Sequence, residues 1–235
     1  MTRADIIGLV ASYVYAFALL LVVEGTGRAL KWPQHITRKI VHVGAGMWVW
    51  GILALFDHWY YGVIPFATFI IMNWVFYRFR LFQQMDSEES SPGTVYFALS
   101  ITVLFLLFWR TENAVDRVPI AAAAVMAMTW GDALAHVIGR AIGTNKYTLF
   151  NHTRSWQGTA TMVVVSFVAM FLTLWLLPGS TLSPNSVVIG PVSAAIMAFF
   201  TALVASMAEG ASPLGLDNLT VPLLSAASLF LLYQL

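Results

Sequence analysis

Residues 118–142 read VPIAAAAVMAMTWGDALAHVIGRAI. The run is long enough for a helix to cross a bilayer, which takes roughly 20 apolar residues. Its first half, with Ala121 to Ala124, is apolar throughout, and then a carboxylate appears at Asp132. A carboxylate costs roughly 2.5–3.5 kcal/mol at the centre of a span on insertion scales, so by default it marks a site. His136 lies four residues on, Gly139 seven and Gly143 eleven, close to one helical stripe. The glycines remove side chains from that stripe and admit another backbone or a ligand. The alternative is a packing stripe with an Asp–His pair satisfied inside a bundle.

The rest of the chain has the same character. Of 235 residues, 59% are hydrophobic and 10% charged, with a mean hydropathy of +0.77, whereas an ordinary globular domain carries about 25% charged residues. Eight apolar stretches, at 5–23, 40–57, 59–78, 94–109, 118–142, 159–177, 187–206 and 217–233, predict an all-α polytopic transmembrane helical bundle of seven or eight spans. It is read as one domain over 1–235. The first 23 residues, with Arg3 offset by Asp5 and no small-x-small cleavage site, read as a span rather than a removed signal peptide. The formal charge of +1 gives no argument for nucleic acid as a partner. The absence of cysteine excludes disulfides, thiolate metal sites and a cysteine nucleophile.

Basic residues set the orientation. Arg28, Lys31, Arg38, Lys39, Arg78, Arg80, Arg140, Lys146 and Arg154 fall in or beside the odd-numbered connections; only Arg3, Arg110 and Arg117 fall on the other side. The odd connections are therefore expected to face the cytoplasm, and the candidates for chemistry lie there too. Arg38, Lys39 and His42 share a helix face at spacings of three and four. They form either an anchoring cluster or a phosphate clamp. Lys146 and Arg154 belong to a polar connection, and Glu209, Asp217 and Asn218 to the last one. Carboxylates converging from different helices suit Mg²⁺, whose shell substrate phosphates usually complete. Asp132, Glu209 and Asp217 fit that role, with the cations balancing phosphate charge. Asn73 is expected to bond a neighbouring helix or line a cavity, Glu24 and Arg28 to pair along a helix, and Asp57-His58 to form a tight turn.

The motifs Arg38-Lys39-x-x-His42, Gly131-Asp132-Ala133-Leu134-Ala135 with Gly139-Arg140 and Gly143, Ser155-Trp156-Gln157-Gly158, Glu209-Gly210, and Gly215-Leu216-Asp217-Asn218-Leu219-Thr220-Val221-Pro222 occur in the order seen in polyprenol kinases. The chain most resembles phytol kinases, then dolichol kinases, and distantly phosphatidate cytidylyltransferases; the match runs from about residue 24 to 222. The resemblance implies transfer of the γ-phosphate of a nucleoside triphosphate to the hydroxyl of an isoprenoid alcohol held in the lipid bilayer. CTP is the expected donor, with ATP and UTP as alternatives, and Mg²⁺ the cofactor. It implies a catalytic pair, Asp132 and Asp217; metal ligation by Asp132, Glu209 and Asp217; and phosphate or nucleotide contacts from Arg38, Lys39, His42, Arg140, Lys146, Arg154, Ser155, Gly158 and Asn218. The chain departs from the family pattern at Gln157, where a Glu is usual, and at His136, where phytol kinases often carry Asp. Two other functions use the same residues: a cytidylyltransferase acting on a lipid phosphate, and a transporter with Asp132 and His136 as a proton relay. A transporter should carry inverted repeats, and none is visible.

Overall fold

The computed structural model describes residues 1–79, 92–111, 115–149, 152–213 and 215–234. Arg80 lies outside the described residues. Within them the chain forms eight helices: α1 Arg3–Ala29, α2 Gln34–Leu55, α3 Trp59–Phe79, α4 Gly93–Phe108, α5 Val118–Ile142, α6 Trp156–Leu176, α7 Pro191–Ala211 and α8 Asp217–Tyr233. One small antiparallel hairpin, β1 Lys146–Leu149 with β2 His152–Ser155, joins α5 to α6. Each helix corresponds to one of the eight apolar stretches. By length and composition α1, α3, α5, α6 and α7 can cross a membrane; α4 and α8 are apolar but shorter.

Helix α5 is the axis of the bundle. Its apolar window is 89% buried, against 22% in α1 and α3. The Ala121 to Ala124 run is fully enclosed, because a methyl side chain lets α2, α4, α6, α7 and α8 all pack against α5. The outer faces instead carry large exposed apolar side chains, such as Ile7, Val14, Leu21, Trp74, Val164 and Val192. Such a surface on helices of membrane-spanning length is what a bilayer covers.

Several helix ends differ from the hydropathy reading, α1 for instance ending at Ala29 rather than at residue 23, and two of these shifts bear on the site for one reason. Helix α2 begins at Gln34 rather than at residue 40, and α7 ends at Ala211 rather than at 206. Arg38, Lys39 and Glu209 therefore sit inside helices, not in connections. Hydropathy ends a span at its first charges, but a helix continues where those charges find partners inside the fold. The connection carrying Lys146 and Arg154 is likewise not a plain loop but the β-hairpin.

Smaller expectations are met. Helices α2 and α3 are joined by the short turn at Asp57-His58. Arg28 pairs with Glu24 at 2.7 Å, and Asn73 Nδ2 donates to the Thr94 carbonyl on α4 at 3.0 Å.

Candidate active site

Within α5 the α-helical hydrogen bonding gives way over Ala127–Asp132 to a π-helical turn. Such turns widen a helix by one residue and frequently mark functional sites. Close packing surrounds this one. A Cβ on Gly46 would overlap Thr129, and one on Gly131 would overlap Ser166. The turn re-aims the backbone so that the Met128 carbonyl accepts from His42 Nε2 at 3.1 Å. The residue that ends it is Asp132.

Asp132 is buried, 4% exposed, and its partners come from α2, far away in the chain. Lys39 Nζ donates to Asp132 Oδ2 at 2.5 Å, and His42 Nε2 stands 3.6 Å from the same oxygen. Because a carbonyl only accepts, the proton on His42 is at Nε2 when it bonds Met128. This α2–α5 clasp, rather than the alternative of an Asp–His pair along α5, meets the carboxylate. His136 turns instead toward His35, with ring centroids 6.0 Å apart. An i,i+4 contact along one helix satisfies the carboxylate less well than a lysine that donates directly to it.

A second ion pair lies beside the first. Arg154 on β2 holds Glu209 in the last turn of α7, Nε to Oε1 at 3.1 Å. Its Nη2 also reaches the Glu209 and Ser212 carbonyls at 3.4 and 3.5 Å, so the cation serves the unpaired end of that helix. Asp217 opens α8, where a carboxylate favours the helix dipole. The turn into α8 passes through Gly215 at φ +80°, a conformation that costs glycine nothing. Asp217 Oδ1 accepts from Asn218 N and Nδ2 at 2.9 and 3.1 Å. Among the described residues Asp217 forms no ion pair, and Asn218 Oδ1 is a buried oxygen with no hydrogen-bond partner.

All these groups open onto one cavity of about 790 Å³, within the range of small-molecule sites. One end is polar, walled by His35, Arg38, Lys39, His42, Asp132, His136, Arg140, Arg154, Glu209, Asp217 and Asn218. The other end is apolar and aromatic, formed by α1 to α4 through residues such as Tyr15, Leu19, Trp48, Phe66, Phe69, Phe97 and Ile101. His42 lies at the junction, packed edge-on against Phe97 with centroids 4.6 Å apart.

The remaining sequence candidates are elsewhere. Lys146 is exposed on β1 and is not on the cavity wall. Ser155 caps α6, its oxygen accepting from Gly158 N at 3.2 Å. A Cβ on Gly139 would stand 3.3 Å from Gly158 Cα and 3.0 Å from Ser155 Oγ, and one on Gly143 2.6 Å from Ser155 Oγ. These four residues thus form a close helix-to-helix contact that seats the hairpin, and with it Arg154. Gln157, the departure from the family pattern, donates to Thr144 Oγ1 at 2.9 Å. The sequence reading missed the whole apolar half of the cavity and, at the polar end, His35. The aromatic residues of α1, α3 and α4 carry no signal separating a cavity wall from a lipid-facing one.

As a metal site the arrangement is partial. Among the described residues no group of three His, Asp or Glu is gathered closely enough to hold an ion. Asp132 and Glu209 are each engaged by a cation. Asp217 with the unpartnered Asn218 oxygen offers hard oxygen donors of the kind Mg²⁺ takes, in a cavity wide enough for phosphates to complete the shell.

The chain is 35% identical over 223 residues to a phytol kinase of Synechocystis sp., covering 94% of this chain and 88% of that protein. It is 27% identical to a probable chloroplastic phytol kinase of Glycine max, covering 94% and 70%. It is 25% identical to a chloroplastic farnesol kinase of Arabidopsis thaliana, covering 98% and 76%. No family model matches the chain, and no solved structure matches it.

Proposed function

The chain belongs to the phytol kinase family, and from that premise we propose that it transfers the γ-phosphate of CTP to the hydroxyl of an isoprenoid alcohol at the cytoplasmic face of its membrane. The observation that carries this reading is the single cavity with two chemistries. An isoprenoid tail suits the aromatic half between α1 and α4, and a nucleoside triphosphate suits the cationic half. The alcohol reaches its site from the bilayer and the nucleotide from water, so a cavity polar at one end and apolar at the other serves both. The cytoplasmic assignment is supported by the excess of Lys and Arg on the side where the polar end opens.

The residues divide the work. Arg38, Arg140 and Arg154 surround the polar end and neutralise phosphate oxygens. Asp217 and Asn218 would hold Mg²⁺, which supplies charge neutralisation on the triphosphate. Asp132 and His42 stand where the polar and apolar halves meet, so an alcohol with its tail among the aromatics presents its hydroxyl beside Asp132. The alcohol oxygen forms the new bond to the γ-phosphorus as the bond to the β-phosphate oxygen breaks and CDP leaves. Asp132 takes the hydroxyl proton, and Lys39, released from its ion pair, stays beside the developing charge. Phosphoryl transfer needs little beyond such positioning and neutralisation.

The test is direct. The purified protein is incubated with Mg²⁺, γ-labelled CTP, ATP or UTP, and farnesol, phytol, geranylgeraniol or a long polyprenol. Label in a lipid monophosphate, strongest with CTP, is the expected result. No labelled lipid with any pairing would sink the proposal, and equal labelling from ATP would remove its CTP clause.

A further inference from the structure

The apolar half of the cavity has a floor. On each of its four helices the lining residue farthest from the polar end is Ser12 on α1, Trp48 on α2, Pro65 on α3 and Ile101 on α4. Trp48 is the largest of the four and is bonded to Ser12 across from it, and its ring is fixed on several sides. Its Nε1 donates to Ser12 Oγ at 3.0 Å, and Ser12 in turn donates to the Gly8 carbonyl at 2.7 Å. Tyr15 stacks on the indole with centroids 4.2 Å apart and 15° between planes. The Tyr15 hydroxyl is itself tied to the Gly44 carbonyl at 2.8 Å. Gly51 leaves the room that the far edge of the indole fills; a Cβ there would stand 2.7 Å from the ring. A large side chain with both its polar atom and its face engaged does not swing aside at low cost.

We infer that Trp48, pinned by Ser12 and Tyr15, is the specificity residue that measures the length of the alcohol's tail. The inference rests on the isoprenoid-alcohol kinase reading above. From Lys39 to Trp48 the rise along α2 is about 14 Å, and from Tyr77 to Pro65 along α3 about 18 Å, at 1.5 Å per residue. With C–C bonds near 1.5 Å, the extended main chain of a fifteen-carbon isoprenoid alcohol spans about 14 Å and that of a twenty-carbon one about 19 Å. Alcohols of that size reach the floor with the hydroxyl beside Asp132. A long polyprenol does not fit, and a ten-carbon alcohol leaves the floor uncovered. Ala45, one turn nearer the polar end on the same helix and also on the wall, marks where a shorter floor would be built.

The experiment compares wild type, Trp48→Ala, Trp48→Phe and Ala45→Phe in detergent, with geraniol, farnesol, phytol and a fifty-five-carbon polyprenol as competing acceptors. In parallel, a farnesol analogue with a photoreactive diazirine at its tail end is crosslinked to wild type and the labelled peptide identified. Wild type should favour farnesol and phytol over the polyprenol at least tenfold in kcat/KM. Trp48→Ala should narrow that ratio about tenfold, with Trp48→Phe between. Ala45→Phe should lose phytol about tenfold relative to geraniol. The crosslink should fall on peptides holding Trp48, Ser12 or Ile101. Length profiles unchanged in every variant, or crosslinks confined to lipid-facing positions, would overturn the inference while leaving the kinase reading intact. Crosslinking at the floor with no phosphorylation of any alcohol would uphold the floor as a tail-binding site and overturn the kinase reading instead.

Discussion

Of the three aspartates buried among the described residues, Asp5, Asp116 and Asp132, the first and last lie at opposite ends of the bundle and are held in different ways. Asp5, in the first turn of α1, is fully enclosed and satisfied mainly by backbone. Thr2 N donates to it at 2.8 Å, the N–H groups of Asp57 and His58 each at 3.2 Å, and His58 Nδ1 lies 2.8 Å away. It caps its own helix and clasps the turn between α2 and α3. Asp132, at the other end, has its charge met by side chains, Lys39 and His42, and it faces a cavity. Backbone donors are fixed by the fold and cannot be exchanged for a substrate. A lysine on a flexible stem can leave its partner when a phosphate or hydroxyl arrives. A buried carboxylate in a membrane helix therefore does not by itself mark a reaction centre. What marks it is a partner that can change, at the wall of a space a ligand can enter.

The comparison can be broken most sharply at Asp132. Asp132→Asn keeps the size and removes both the charge and the proton acceptor, and should lower kcat for lipid phosphorylation by about 10³-fold. Its thermal midpoint in detergent should move by only a few degrees, because Lys39 faces the cavity and can be solvated there. A variant retaining more than a tenth of wild-type turnover would remove Asp132 from the chemistry.

The exchangeable partner comes next. Lys39→Ala should reduce kcat/KM by about 10²-fold, the usual loss for one electrostatic donor. Lys39→Arg should recover part of it. If Lys39 were only a structural counter-ion, alanine would unfold the protein without a specific kinetic effect, and circular dichroism with labelled-lipid assays separates those outcomes.

Asp217→Asn tests the carboxylate that has no cation. Removing one charged oxygen ligand should raise the Mg²⁺ concentration for half-maximal activity about tenfold. Activity should recover at high Mg²⁺. A Mg²⁺ titration that superimposes on wild type would assign the metal elsewhere.

At the opposite end the effect on catalysis should be smallest. Asp5→Ala leaves three backbone N–H groups and an imidazole without their acceptor, a loss of about 2 kcal/mol in stability. The thermal midpoint should fall while kcat/KM stays within about twofold of wild type. A loss of activity at unchanged stability would erase the distinction between the two ends.

The candidate site was legible in part. Asp132 stood out because a carboxylate within an apolar run has a large insertion cost. Arg38, Lys39, Arg154, Glu209, Asp217 and Asn218 stood out by order and by membrane side, and all of them line the cavity. Ser155, Gly158, Gly139 and Gly143 share those motifs, and Lys146 that membrane side, yet none of them lines it. A motif joins residues that touch substrate to residues that hold the backbone in place, and spacing along the chain does not separate them. The partner of Asp132 was not legible for a related reason. An i,i+4 neighbour is visible in any sequence, whereas Lys39 is separated from Asp132 by two other helices.

What the sequence determined by itself is the helical bundle, its eight segments and the side on which its polar groups collect. Hydropathy and charge act locally and leave periodic traces in the chain. The tertiary structure alone decided the ion pairs across α2 and α5, the cavity and its Trp48 floor. In a membrane protein the lipid-facing and cavity-facing sides of a helix are equally apolar. Only the packing of one helix against another assigns a phenylalanine or a tryptophan to the wall of a binding site or to the bilayer.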